Sequence, residues 1–207
     1  MKLAAAPPLT AALLCVLAAP AAARDRLPLP GGEEEVRGVV ALRAGVALPV
    51  GNAQAGLPMS DLVSGAVPVG VELAGRGGAT TFGFEAEYGP AFVASCPTGA
   101  SCSGAVIRAG IELLHRFSPG RRVSTWVGGG LGWEETQVTR AGRSIRVDSF
   151  ELLNLKLGRD VEVSKGVLVG PFLAGTFAQG MQQDGADIKD KSPHVWIQVG
   201  LRVELGL

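Results

Sequence analysis

The sequence carries no excess charge of either sign. Lys and Arg total 19 and Asp and Glu total 19, so the formal net charge is zero, which argues against a basic surface for nucleic acid. It also lacks an apolar run long enough to cross a bilayer as a helix. The unbroken stretch Ala11 to Ala19 falls short of the roughly 20 residues a span needs. Histidine occurs twice and cysteine three times, without the spacing of a zinc site. Aromatic residues make up only 5% of the chain. What it has in quantity is Gly, 30 residues, in a chain of 207 that is 47% hydrophobic. Gly costs roughly 1 kcal/mol per helical position relative to Ala, so the composition fits one domain of short turns and strands better than a helical bundle.

Residues 1–23 stand apart. Lys2 gives a positive start, the Ala11 to Ala19 stretch is bounded by Pro7, Pro8 and Pro20, and Ala21 and Ala23 form an A-x-A cleavage site before Arg24. This reads as a secretory signal peptide. Leu14 before Cys15 is not the small residue that lipoprotein signals resemble. Export leaves Cys96 and Cys102 in an oxidising compartment, where they are expected to pair across a small clamped loop. Residues 24–35 are rich in Pro, Gly and acid, have no period, and read as a flexible periplasmic leader.

From Val36 onward apolar residues recur at every second position. At the end of the chain Val195, Ile197, Val199, Leu201, Val203, Leu205 and Leu207 alternate with Trp196, Gln198, Gly200, Arg202, Glu204 and Gly206. A period of two denotes a β-strand with one apolar face. Similar segments fall at 36–48, 67–74, 82–92, 107–114, 123–133, about 153–158 and 167–177. In the sixth, Phe150 and Leu152 lie out of phase with Leu153, Leu155 and Leu157, which predicts a bulge. The connections alternate long and short. Polar loops are expected at 134–144 and 179–193, and tight turns at 75–78, 118–120 and 164–166.

The face opposite the apolar one decides which side meets solvent. It carries Arg43, Glu72, Glu85, Glu87, Arg108, Glu112, Lys156, Arg202 and Glu204 among Gly45, Gly70, Gly83, Gly89, Gly110, Gly128, Gly130, Gly132, Gly170 and Gly200. Gly weakens an exposed strand, but small neighbours are what large charged side chains need inside a narrow barrel. These charges are therefore expected to fill the lumen as pairs, with the apolar face outward. Phe82, Tyr88, Phe92, Phe117, Trp133 and Phe177 would form a thin aromatic girdle, and Pro171 would interrupt a ladder that lipid requires to be paired.

Reactive residues offer little. His115-Arg-Phe-Ser118 lacks the His-x-Ser pattern of the lipid A deacylase barrels, and His194 has no nucleophile and acid at a recognisable spacing. Asp184, Asp187 and Asp190 do not follow the EF-hand spacing. Gly128-Gly-Gly130 has no Lys-Ser/Thr after it and reads as room for Trp126 and its neighbours. The apolar connection Leu57 to Val63 is expected to fold back over the barrel mouth. No catalytic residue, metal ligand or cofactor is assigned.

The terminal order Gln198, Gly200, Val203, Leu205 and Leu207 resembles the assembly signal of bacterial outer-membrane barrels, differing in ending on Leu where Phe or Trp is usual. Over residues 36–207 the layout resembles the small OmpA/OmpX-like barrels. That resemblance implies an all-β, eight-stranded antiparallel up-and-down transmembrane β-barrel in the bacterial outer membrane. It further implies a monomer embedded in outer-membrane lipid and inserted by the barrel assembly machinery, with structural, adhesive or protective loops. The alternatives are a soluble, secreted lipocalin-like barrel that binds an apolar ligand and an outer-membrane lipid-modifying enzyme.

Overall fold

The structure, a computed structural model, describes residues 36–207. The signal peptide and leader read from residues 1–35 lie outside them. Eleven strands follow in chain order: β1 (Arg37–Gln54), β2 (Leu57–Pro58), β3 (Val63–Ala66), β4 (Val69–Gly77), β5 (Thr80–Val93), β6 (Cys102–Arg116), β7 (Val123–Arg140), β8 (Arg143–Ser164), β9 (Val167–Gln183), β10 (Ala186–Asp187) and β11 (Pro193–Gly206). A single helical turn, α1 (Met59–Leu62), sits between β2 and β3. β3 and β4 form one stave broken at Val67-Pro68, because Pro has no N–H to give the ladder. β2 and β10 only extend hairpins. Eight staves therefore remain, each antiparallel to the next, and β11 pairs β1 from Val39↔Gly206 to Gly51↔His194 to close the ring.

The registers fix the shape. The partners of Ala41 run Glu72, Glu85, Gly110, Gly132, Glu151, Ala178 and His194, and return to β1 at Gly51, a stagger of ten residues. Ten residues of stagger over eight strands tilts them by about 40° and gives a backbone radius of about 8 Å. Such a lumen holds one layer of side chains from each wall, and no channel remains once they are large.

The staves outrun the alternating segments of the sequence. The polar stretch 134–144, expected as a loop, continues β7 and β8 as a tall hairpin. It turns at Ala141-Gly142, both at positive φ (48° and 79°), as a two-residue hairpin turn requires. The stretch 179–193 likewise begins as a hairpin, turning at Asp184-Gly185 (φ 51° and 80°). The two tips are joined by Arg146 N–H to Asp184 Oδ1 (2.8 Å) and Asp184 N–H to Arg146 O (2.9 Å). The phase conflict in β8 is a bulge. Pairing to β9 shifts between Glu151 and Leu153, which leaves both Leu152 and Leu153 facing outward at 42% and 44% exposure.

Candidate functional site

Two surfaces are built by the alternation, an apolar exterior and a polar interior. Val199 and Leu201 are 54% and 60% exposed, while Arg202 and Glu204, one residue from Leu201 and one beyond Val203, are each 1% exposed. The same division runs around the ring. Leu42, Leu73, Phe84, Leu113, Leu131, Leu155 and Leu173 point outward, and Phe82, Tyr88, Phe92, Phe117, Trp133 and Phe177 are exposed with them. Exposed apolar area on this scale is foreign to a soluble monomer, whose largest patch is a few hundred Å².

Inside, Arg43, Glu72, Glu85, Glu87, Arg108, Glu112, Lys156, Arg202 and Glu204 are all buried. At the end of the barrel that carries Val36 and Leu207, Arg202 donates to Glu72 Oε2 through Nε and Nη2 (2.9 and 2.6 Å) and to Glu204 Oε2 through Nη1 (2.7 Å). Glu204 also receives Arg116 (2.6 Å) and Arg76 (2.5 Å), and Arg116 reaches Asp160 at 2.8 Å. In the middle, Arg43 bridges Glu72 (3.0 Å) and Glu85, and Lys156 bridges Glu85 and Glu112 (2.5 Å). Nearer the loops, Arg108 joins Glu87, Glu134 and Glu151 at 3.1 to 3.2 Å. Glu134 Oε1 accepts from His194 Nε2 (2.9 Å) and Trp196 Nε1 (3.0 Å). Gln198 donates to Glu87 at 3.0 Å.

Aromatic rings close the gaps between the charges. The Arg202 guanidinium lies 5.3 Å from the Trp126 ring, Arg108 5.0 Å from Trp196 and Arg43 5.9 Å from Phe172. Trp126 fits because Gly158 on the next strand has no side chain, a Cβ there falling 2.3 Å from the indole. This corrects the expectation for Gly128-Gly-Gly130. A Cβ on Gly128 has room, and one on Gly130 meets the backbone oxygen of Ile111 at 2.4 Å, so that run permits close strand approach and does not house Trp126.

Above Glu134 the lumen changes character. Met59, Leu62 and Val63 fold inward and pack with Ala47, Ala53, Val106, Val138, Val147, Ile188 and Trp196 as a dry plug. Arg140 donates to the carbonyls of Asp61 and Leu62 and so ties the end of α1 to β7. The apolar connection thus folds into the mouth. Cys96 and Cys102 form a disulfide (S–S 2.02 Å, Cα–Cα 6.0 Å) in the loop between β5 and β6.

Several lumen residues escaped the sequence reading. Arg116, Asp160 and Glu134 lie on the inward phase of β6, β8 and β7, one or two residues beyond the end of the alternating segments. Glu151 was hidden by the bulge. His194 is buried and held by Glu134, while His115 is exposed and stacks edge-on with Phe117 (5.5 Å). Neither is hydrogen-bonded to a hydroxyl or thiol among the described residues. Asp184 and Asp187 accept bonds from Arg146 and Gln182. Among the described residues no cluster of His, Cys, Asp or Glu is placed to hold a metal. Of the terminal residues, Gln198 is buried, Gly200 abuts β1, Val203 is half-buried, and Leu205 and Leu207 are exposed.

No family model and no curated protein matches the chain. Among solved structures it is similar to Neisserial surface protein A (TM-score 0.51, 12% identity, 81% of this chain and 95% of that one). It is also matched to the outer-membrane protein OprG from Pseudomonas aeruginosa (TM-score 0.49, 13% identity, 81% and 96%). At such identity the likeness speaks to fold alone. With the closed ring of eight staves, it establishes that this chain has the fold of the small, eight-stranded OmpA/OmpX-like β-barrels.

Proposed function

We propose that the protein is an integral barrel of the bacterial outer membrane with a sealed lumen, serving a structural, adhesive or protective role through the hairpins and loops of its outer end. The carrying observation is the inversion of Val199 and Leu201 outward against Arg202 and Glu204 inward, repeated around the ring. A soluble barrel that binds an apolar ligand needs the opposite arrangement. The turns at 78–79, 117–122 and 165–166 sit at one end together with Val36 and Leu207, the periplasmic side in such barrels. β7 has 18 residues, which at a 40° tilt rise about 45 Å, against an apolar band of about 25 Å. The upper part of the β7–β8 hairpin, polar at Glu135, Gln137, Arg146 and Asp148, then stands clear of the bilayer as a rigid platform.

The filled lumen supports a non-conducting monomer, and the His194–Glu134 contact supports a packing role for that histidine over catalysis. Outer-membrane lipid is the proposed surrounding. The exposed Leu205 and Leu207 beside Gln198, Gly200 and Val203 are the proposed contact for the barrel assembly machinery. Cell fractionation tests the reading: the protein is expected with the outer membrane, released only by detergent, and shifted in gel mobility on boiling. Recovery as a detergent-free soluble monomer overturns it.

A further inference from the structure

On the outer wall near the periplasmic end the staves β8, β9 and β11 border a shallow groove that is open along its length to the exterior. Its apolar walls are Leu157, Leu173 and Val199, its floor is Pro171, and its polar end is Arg159 with Thr125. The strands themselves stay close there, a Cβ on Gly170 falling 1.9 Å from the Arg159 carbonyl oxygen, and the groove is the hollow left on the outer face above the small Pro171 ring. Gly158↔Phe172 and Val161↔Val169 keep one register, yet no pair joins Arg159 or Asp160 to Gly170 or Pro171, where Pro171 has no N–H to give. Pro171 is also short between the longer Leu157 and Leu173.

Arg159 is out of place on this face. It is exposed on the outward phase, directly across from Thr125, one outward row above Val123, Val161 and Val169 and two above Val163 in the lower part of the belt. No carboxylate pairs with it among the described residues. Glu162, on the inward phase of the same strand, accepts from Gly166 N–H at 3.4 Å. Arg121, Arg122 and Lys165 are exposed in the turns just below. A guanidinium at the edge of an apolar belt is stable when it reaches the headgroup layer and meets an anion there.

We infer that this groove is a binding site for an anionic phospholipid of the periplasmic leaflet, one acyl chain lying along Leu157, Pro171 and Leu173 and the phosphate held by Arg159 and Thr125. The site rests on the membrane reading above. Arg159 at the groove, with Arg121, Arg122 and Lys165 below it, favours a glycerophospholipid with net negative charge over a zwitterionic one.

The test is native mass spectrometry of the full protein released from vesicles containing equal phosphatidylglycerol and phosphatidylcholine. The wild type is expected to retain phosphatidylglycerol preferentially. Arg159→Gln should lower that retention about five-fold, the worth of one basic group near a lipid surface. Arg159→Lys should keep it, and Arg143→Gln at the opposite end should leave it unchanged. Equal retention by wild type and Arg159→Gln, or no headgroup preference in the wild type, overturns the site while the barrel still inserts and shows its heat-dependent gel shift. Failure to insert overturns the membrane reading and the site with it.

Discussion

Single side chains hold this lumen together through shared partners. Glu204 receives Arg76, Arg116 and Arg202, and Arg202 in turn neutralises Glu72. Removing one member of such a set leaves the others charged and dry, which costs about 3 to 5 kcal/mol. Arg202→Met should therefore lower the urea midpoint of the vesicle-inserted protein by that equivalent. Glu162→Gln, at a turn, should barely move it. At the ring's seam, Gly45 and Gly200 face each other, and a Cβ on either meets the partner strand's backbone oxygen at 2.3 or 2.2 Å. No rotamer relieves a backbone clash, so Gly200→Val should block closure and abolish the heat-resistant gel band. Phase alone places Arg43, Glu72, Glu85, Glu87, Arg108, Glu112, Lys156, Arg202 and Glu204 inward, but it does not reveal Glu151 beside the bulge. Nor does it reveal the pairing among them, because Glu204 and Arg76 are 128 residues apart.

Among the elements, the tall β7–β8 hairpin shows where sequence patterning fades. Inside the belt each outward position needs an apolar residue, and alternation is sharp. Beyond Trp133 both faces tolerate polar residues, so Glu135, Gln137 and Thr139 carry no period, and a strand reads as a loop. The turns signal themselves better. Asp184-Gly185 has the residues a left-handed two-residue turn demands, whereas Ala141-Gly142 has only the glycine. The clamped loop between β5 and β6 adds no stave to the ring and is tied to it by Ala94 N–H to Leu62 O (3.1 Å) and Ala141 N–H to Ser101 O (3.3 Å). Replacing Cys96 and Cys102 by Ser removes a closure worth roughly 2 kcal/mol for so short a loop. Limited proteolysis should then cut within residues 96–102 while the barrel band survives.

For the whole molecule, three stacked layers seal the axis: the Arg202 and Arg43 networks, the Arg108–Glu134 cluster and the Met59–Leu62 plug. Planar-bilayer recordings of the wild type should show no discrete conductance. Met59→Ser with Leu62→Ser should show none either, because the ionic layers below the plug still fill a barrel of about 8 Å backbone radius. Period-two alternation by itself determined that the chain forms strands, which residues share a face and, through glycine among the charges, which face turns inward. It did so because each side chain's direction is a local property of the extended backbone. The stagger that closes the ring, the carboxylate each arginine meets, the glycine that admits Trp126 and the groove beside Pro171 were decided only in three dimensions. Each of these joins residues from different staves, and the distance between staves is set by closure of the barrel.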